Sequence, residues 1–271
     1  MIIVRLIGGI GNQMFQYALG RHLAVKNNTE LKFDISDFCK YADREYMLGV
    51  FDIKSKIASE DEISKLKSNR YVKEKGFGFD CEILNTPDNS YIDGYWQNEK
   101  YFQSIENLIR EDFLFKEDLN DKNKEFLSGI SGSDSVCIHI RCGDYVSNLK
   151  TKLMHGNCSS KYYKKAVDLI LQNVENPHFF VFSDEPERAK KMLDKNLNLT
   201  FVDTNSAADG YKDLRLMANC KHFIMANSSF SWWGAYLASN ADKTVIAPKK
   251  WFGILSKNRN ESPILGDWLK L

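Results

Sequence analysis

The segment "VCIHIRCGDYV" places His139, Arg141 and Asp144 within six residues, at the end of an apolar run. An imidazole, a guanidinium and a carboxylate can between them bind an anion and move a proton. The guanidinium is permanently charged, and its fork of N–H donors fits phosphate oxygens. Because His139 and Arg141 stand two apart, an extended strand directs both to one face. Taken singly, His139 is the kind of residue that is ordinarily a satisfied core histidine, and Arg141 could serve only a salt bridge, with Asp144 close by in sequence. Together at a strand end they form a candidate phosphate-binding or proton-transfer site.

Three further groups share that position after an apolar strand. In "ANSSFSWW", Asn227, Ser228 and Ser229 open a helix, where unpaired amides and hydroxyls favour an anion, although capping alone would also account for the serines. Ser231 is a second cap candidate, and Trp232 and Trp233 are expected in the core. In "FSDE", Asp184 can accept from a ribose or a purine edge, or cap the helix beginning at Glu185. In "GGIGNQM", methionine stands at position 14, where the third glycine of a dinucleotide fingerprint belongs, and this argues against a nicotinamide or flavin enzyme. Asp34 is near the spacing of the ribose-binding acid in such folds, so that reading is kept for test. Gly8, Gly9 and Gly11 allow a close backbone approach; Asn12 either caps the helix or, with Gln13, presents an amide to a ligand.

The elements that must hold these residues alternate regularly from Ser135 onward. Strands are expected at "SVCIHIR", "HFFVFSD", "LTFVD", "KHFIMAN" and "KTVIAP", with helices at "SSKYYKKAVDLILQNV", "EPERAKKMLDKN", "AADGYKDLRLMANC" and "SWWGAYLASN". Short buried strands between amphipathic helices predict a parallel sheet, whose ligands bind beyond the carboxyl ends of the strands. The first half opens likewise with "IIVRLIG", "NQMFQYALGRHLAVKNN" and "ELKFDI", then loosens from Cys39 to Asn98. The glycine- and serine-rich "LSGISGSDS" suggests a boundary, giving an α/β domain over 1–130 and a Rossmann-like domain over 131–271.

A chain of 271 residues with a net charge of +1 and no basic block excludes a broad nucleic-acid surface. Six cysteines without a C-x-x-C pair suggest a reducing compartment, and no run reaches the roughly twenty apolar residues that a membrane span requires. The expectation is a cytoplasmic protein without a transmembrane segment, with peripheral membrane association and oligomeric state left open.

In this order, "GGIGNQMFQYALG", "DGYWQNEKYF", "HIRCGDYV", "FSDE" and "ANSSFSWWGAYLA" resemble the bacterial α-1,2-fucosyltransferases of glycosyltransferase family 11 over nearly the whole chain. The resemblance implies two Rossmann-like domains facing across a cleft (GT-B type), the first on the acceptor side and the second binding GDP-fucose. It implies inverting transfer of L-fucose to the 2-hydroxyl of a terminal galactoside on a bacterial surface glycan, such as an O-antigen. His139, Arg141, Gly143 and Asp144 match the family's H-x-R-R-G-D signature. The match implies that His139 contacts the nucleotide and Arg141 the diphosphate, while Cys142 replaces a frequent second arginine and leaves the phosphate charge more dependent on Arg141. Asp184 matches a nucleotide contact, Ser228, Ser229 and Phe230 with Asn227 the donor-phosphate loop, and Asn12 with Gly11 and Gln13 the loop facing the donor. Asp144 is the candidate general base, or else the orienting partner of Arg141. No D-x-D sequence occurs, so no metal and no cofactor is expected. The alternatives are a nucleotide-sugar-binding protein without catalysis, or a fucosyltransferase of different linkage.

Overall fold

The computed structural model describes residues 1–40, 44–142, 156, 158–258 and 260–271. It divides into two compact units, Met1–Glu117 and Asp118–Leu271.

In the first unit, β1 (Ile2–Arg5) leads into α1 (Ile10–Lys26) and β2 (Leu31–Asp34). Gly8 makes the intervening turn at φ +76°, where a Cβ would also approach Asn12 Nδ2 to 2.5 Å. Met14 is wholly buried, and the close approach of helix to sheet comes at Gly20 instead. A Cβ there would lie 2.5 Å from Val4 Cγ2 and 2.8 Å from Leu31 Cδ1.

The loosely patterned stretch resolves into β3 (Lys56–Ile57), α2 (Glu60–Asn69), β4 (Tyr71–Lys73) and β5 (Ser90–Asp93), followed by α3 (Glu106–Asp112). A capping box starts α2: Ser59 Oγ accepts from the Glu62 N–H, and Glu62 accepts from the Ser59 N–H. Among the described residues the sheet is parallel in the order β3-β2-β1-β5-β4. The short β5 therefore lies beside β1, at the centre.

The second unit begins with α4 (Asp121–Ser131), capped by Asn120, whose Oδ1 accepts from the Asn123 N–H at 3.0 Å. The division thus precedes α4. The "LSGISGSDS" cluster is not a linker but the last turns of α4 and the bend into β6 (Ser135–Ile140). Then follow α5 (Ser160–Asn173), β7 (His178–Ser183), α6 (Pro186–Ala189), β8 (Leu199–Val202), α7 (Gly210–Ala218), β9 (His222–Ile224), α8 (Ser229–Leu237), β10 (Val245–Ala247) and β11 (Leu269–Lys270). Ser159 caps α5, its side chain accepting from the Tyr162 N–H. α6 is shorter than its sequence pattern, because Lys191 and Met192 bond three residues back and tighten the chain into turns.

The described strands are parallel in the order β11-β10-β9-β6-β7-β8. Read from β8, this is the 3-2-1-4-5-6 order of a doubly wound Rossmann sheet. Val136, Ile138, Ile140, Tyr163, Ile170, Phe179, Val181 and Ile224 pack in its core. Among the described residues no helix is long and apolar enough to cross a membrane.

Candidate active site

The chain leaves β6 toward β7 and β8 on one side of the sheet, and leaves β9 toward β10 and β11 on the other. Their loops diverge, so a crevice is expected above the neighbouring carboxyl ends of β6 and β9. The candidate residues of the second unit converge there. Ile138 pairs with Ile224, which brings the end of β6 beside the loop entering α8, and the His139 and Phe230 rings lie 5.6 Å apart. Asp184 follows β7, the other neighbour of β6.

Arg141 is held by Asp184, with Nη1 2.9 Å from Oδ2. The second carboxylate oxygen accepts from the Cys142 N–H at 2.8 Å. Asp184 therefore anchors the arginine and the backbone that follows it, the orienting part that sequence proximity offered to Asp144. Gly143 and Asp144 lie outside the described residues. Nor does Asp184 cap α6: the N-cap is Glu185, whose N–H goes to Ser183 Oγ at 3.1 Å. Cys142 turns into the core, so its side chain adds nothing polar beside Arg141.

His139 is only 6 % exposed. Burial, reinforced by the charge of Arg141, pushes its pKa down to about 4, so it is a neutral imidazole at physiological pH. Its carbonyl accepts from Tyr163 Oη at 3.0 Å, which fixes the strand end, while Nδ1 has no hydrogen-bond partner among the described residues. A neutral ring with an unengaged nitrogen suits a polar, uncharged edge of a ligand better than a phosphate.

The depressed pKa also predicts a pH effect. The unfolded histidine titrates near 6.5, so between about pH 4 and 6.5 the unfolded chain binds more protons, and the stability His139 contributes is lost as pH falls. Denaturant titrations of wild type and His139→Gln should show the wild type losing on the order of 2 kcal/mol relative to the variant between pH 7 and pH 5. A gap independent of pH would show that the imidazole is not buried as described.

At the start of α8 the cap is Ser228, whose side chain accepts from the Phe230 N–H at 3.3 Å; Ser231 instead donates to the carbonyls of Ala226 at 3.1 Å and Ser228 at 3.2 Å. Asn227 is seated by the Trp251 carbonyl at 3.1 Å and the Cys158 thiol at 3.6 Å. Ser229 and Phe230 are half-buried, and Trp232 and Trp233 are in the core as expected. The first amides of α8 and the Arg141 fork thus stand at neighbouring strand ends, an arrangement suited to an anion.

Gly11, Asn12 and Gln13 belong to the first unit, at the turn after β1. Asn12 is not the cap of α1, since Gly9 occupies that position; its Oδ1 accepts from Gln97 Nε2 at 2.6 Å. Gln13 is fully buried. Its amide donates to the carbonyls of Gly8 at 2.9 Å and Glu45 at 2.8 Å and accepts from the Met47 N–H at 2.9 Å, so it braces the loop rather than presenting an amide. Asp34 is 1 % exposed and bonded to Tyr91, Ser36 and Lys67. Burial alone would raise its pKa, but these bonds prevail and hold it at about 2. The would-be ribose acid of a dinucleotide enzyme is thus committed to its own sheet.

The whole chain, residues 1–271, matches the family model described as glycosyl transferase family 11. An alpha-1,2-colitosyltransferase of Escherichia coli is 34% identical, over 93% of this chain and 92% of its own. The human galactoside alpha-(1,2)-fucosyltransferase 1 is 26% identical over 85% of this chain and 64% of its own. Among solved structures, NodZ alpha-1,6-fucosyltransferase soaked with GDP-fucose is similar with a TM-score of 0.52 at 16% identity, covering 87% of this chain and 92% of that one. The last likeness extends to the fold.

Proposed function

The chain belongs to glycosyltransferase family 11, and on that premise we propose that it transfers L-fucose from GDP-fucose, with inversion, to the 2-hydroxyl of a terminal galactoside on a bacterial surface glycan. The observation that carries this reading is the meeting of Arg141, His139 and the Ser228–Phe230 helix start at one switch point. In a single displacement the acceptor oxygen bonds to the sugar's anomeric carbon as the bond to the β-phosphate breaks. The electron pair stays on GDP, and the acceptor proton passes to a base. Negative charge grows on the leaving phosphate, so donors aimed at it favour the transition state. Arg141 and the α8 amides are those donors, and His139 meets the nucleotide. We assign the donor to the second unit and the acceptor to the first.

One observation favours a second donor. The colitosyltransferase is a relative at 34% identity, and colitose is fucose without its 3-hydroxyl. Initial rates with GDP-fucose and GDP-colitose on the same β-galactoside decide between them, and turnover of neither would leave a binding protein without catalysis. Because the sequence has no D-x-D pair to hold a cation on the diphosphate, EDTA should leave the rate within about twofold. Each tenfold loss would be about 1.4 kcal/mol supplied by a metal. A large loss restored by Mn²⁺ would reveal a cation site absent from this scheme.

A further inference from the structure

The segment "DGYWQNEKYF" belongs to the family resemblance, and donor binding leaves it without a role. It leaves β5 beside β1, at a switch point of the first sheet. The chain runs outward from β1 through β2 to β3, then crosses to the opposite edge and returns through β4 to β5. Ligands of parallel sheets bind above the carboxyl ends of such neighbours. Two glutamines tie together the loops that meet there. Gln16 donates to the Gly94 carbonyl at 3.1 Å and accepts from the Ile7 N–H at 3.0 Å, and Gln97 Nε2 donates to Asn12 Oδ1 at 2.6 Å.

The loop that carries Gln97 is held in a strained turn. Trp96 has φ +57°, a left-handed conformation that bulky residues adopt only under constraint and that concentrates at functional sites. Glu74 imposes it, accepting from the N–H of Tyr95 at 2.7 Å and of Trp96 at 2.9 Å. The Trp96 carbonyl accepts from the Asn98 N–H at 2.8 Å, and the indole is buried edge-on against Tyr101. The chain thus reverses at Trp96 and sets Gln97, itself only 9 % exposed, against the β1–α1 turn. Asn12 also lies over Gly8, where a Cβ would come 2.5 Å from its Nδ2. With Oδ1 turned to Gln97, the half-buried Asn12 carboxamide is held in one orientation and offers a ligand its Nδ2 donors.

We infer that Asn12 contacts the acceptor sugar at this switch point through Nδ2, and that Gln97 is the positioning residue that aims it. The inference rests on the transferase reading above. The test uses the full chain with methyl β-galactopyranoside as the probe, in initial-rate kinetics and in saturation-transfer NMR, which reads binding without turnover. Asn12→Ala should weaken sugar binding and lower the acceptor kcat/KM about tenfold, the size of one lost hydrogen bond that leaves its partner unpaired. Asn12→Asp should lose as much, because its carboxylate still accepts from Gln97 but carries no donor. A residue that only braced the loop would be rescued by that substitution. Gln97→Met, similar in length but without the amide, should cost about fivefold in the wild type and nothing further in Asn12→Ala, since it acts through Asn12 alone. GDP affinity, measured by calorimetry, should be unchanged throughout, and thermal melts establish that each variant is folded. Wild-type binding and rate in folded Asn12→Ala or Asn12→Asp, additive losses in the double variant, weakened GDP affinity, or no sugar binding by wild type overturns the inference. The expected pattern of sugar binding in a protein that transfers neither fucose nor colitose upholds the contact and overturns the transferase reading instead.

Discussion

Arg141→Ala should lower the rate of transfer at least a hundredfold in a protein that remains folded. Removing one preorganised donor from a site of developing charge costs roughly 3 kcal/mol of transition-state stabilisation, and that cost appears in kcat rather than in KM alone. The position tolerates the change, because Arg141 is part-exposed and Asp184 keeps the Cys142 N–H as a donor when the guanidinium is gone. Cys142, where the family frequently has a second arginine, is turned into the core and cannot take over. Arg141→Lys separates charge from geometry: it keeps the cation but loses the planar fork, and should recover only part of the rate. Steady-state kinetics with GDP-fucose and a β-galactoside, beside thermal melts of the same samples, make the measurement. Wild-type kcat in a folded Arg141→Ala protein would remove the arginine from the reaction.

The parts of this site that could be read from the sequence are those set by local pattern. The apolar runs ending at Ile140, Ser183 and Ile224 became β6, β7 and β9, so His139, Arg141, Asp184 and Ser228 lie at strand ends as their spacing required. Partnerships across the sheet could not be read. Arg141 meets Asp184 only because β7 lies beside β6, whereas sequence proximity favoured Asp144. The inward turn of Gln13 depends on Glu45 and Met47, which no local pattern connects to the β1–α1 loop. The bond from Gln97 to Asn12 joins residues 85 apart. β5 escaped notice because four residues show too little alternation to stand out, yet it lies beside β1 in the middle of the sheet and presents the loop with Trp96. A tryptophan in the left-handed region leaves no mark on sequence at all, since the constraint on it comes from Glu74, a residue of another loop.

Because Asp184 already anchors Arg141, the orienting role does not require Asp144, and the two aspartates should respond differently to the same substitution. Asp184→Asn keeps an acceptor for the Cys142 N–H but removes the charge opposite the guanidinium. A loosened Arg141 loses its aim, so GDP and GDP-fucose should bind about tenfold more weakly, with much of kcat kept at saturating donor. Asp144→Asn should do the reverse if Asp144 is the base. GDP affinity would stay as in wild type, whereas kcat would fall by roughly 10²–10⁴, the usual contribution of a positioned proton acceptor. The pH dependence adds a separate criterion. His139 is neutral above about pH 4, so a limb in the kcat profile rising through the carboxylate range and absent from Asp144→Asn belongs to the base and not to the histidine. GDP titration by calorimetry and initial rates on both variants complete the comparison. Weakened GDP binding with preserved kcat in Asp144→Asn would make Asp144 a second anchor for the nucleotide site. The proton acceptor would then be sought among the carboxylates of the first unit, or departure of GDP would run well ahead of proton transfer.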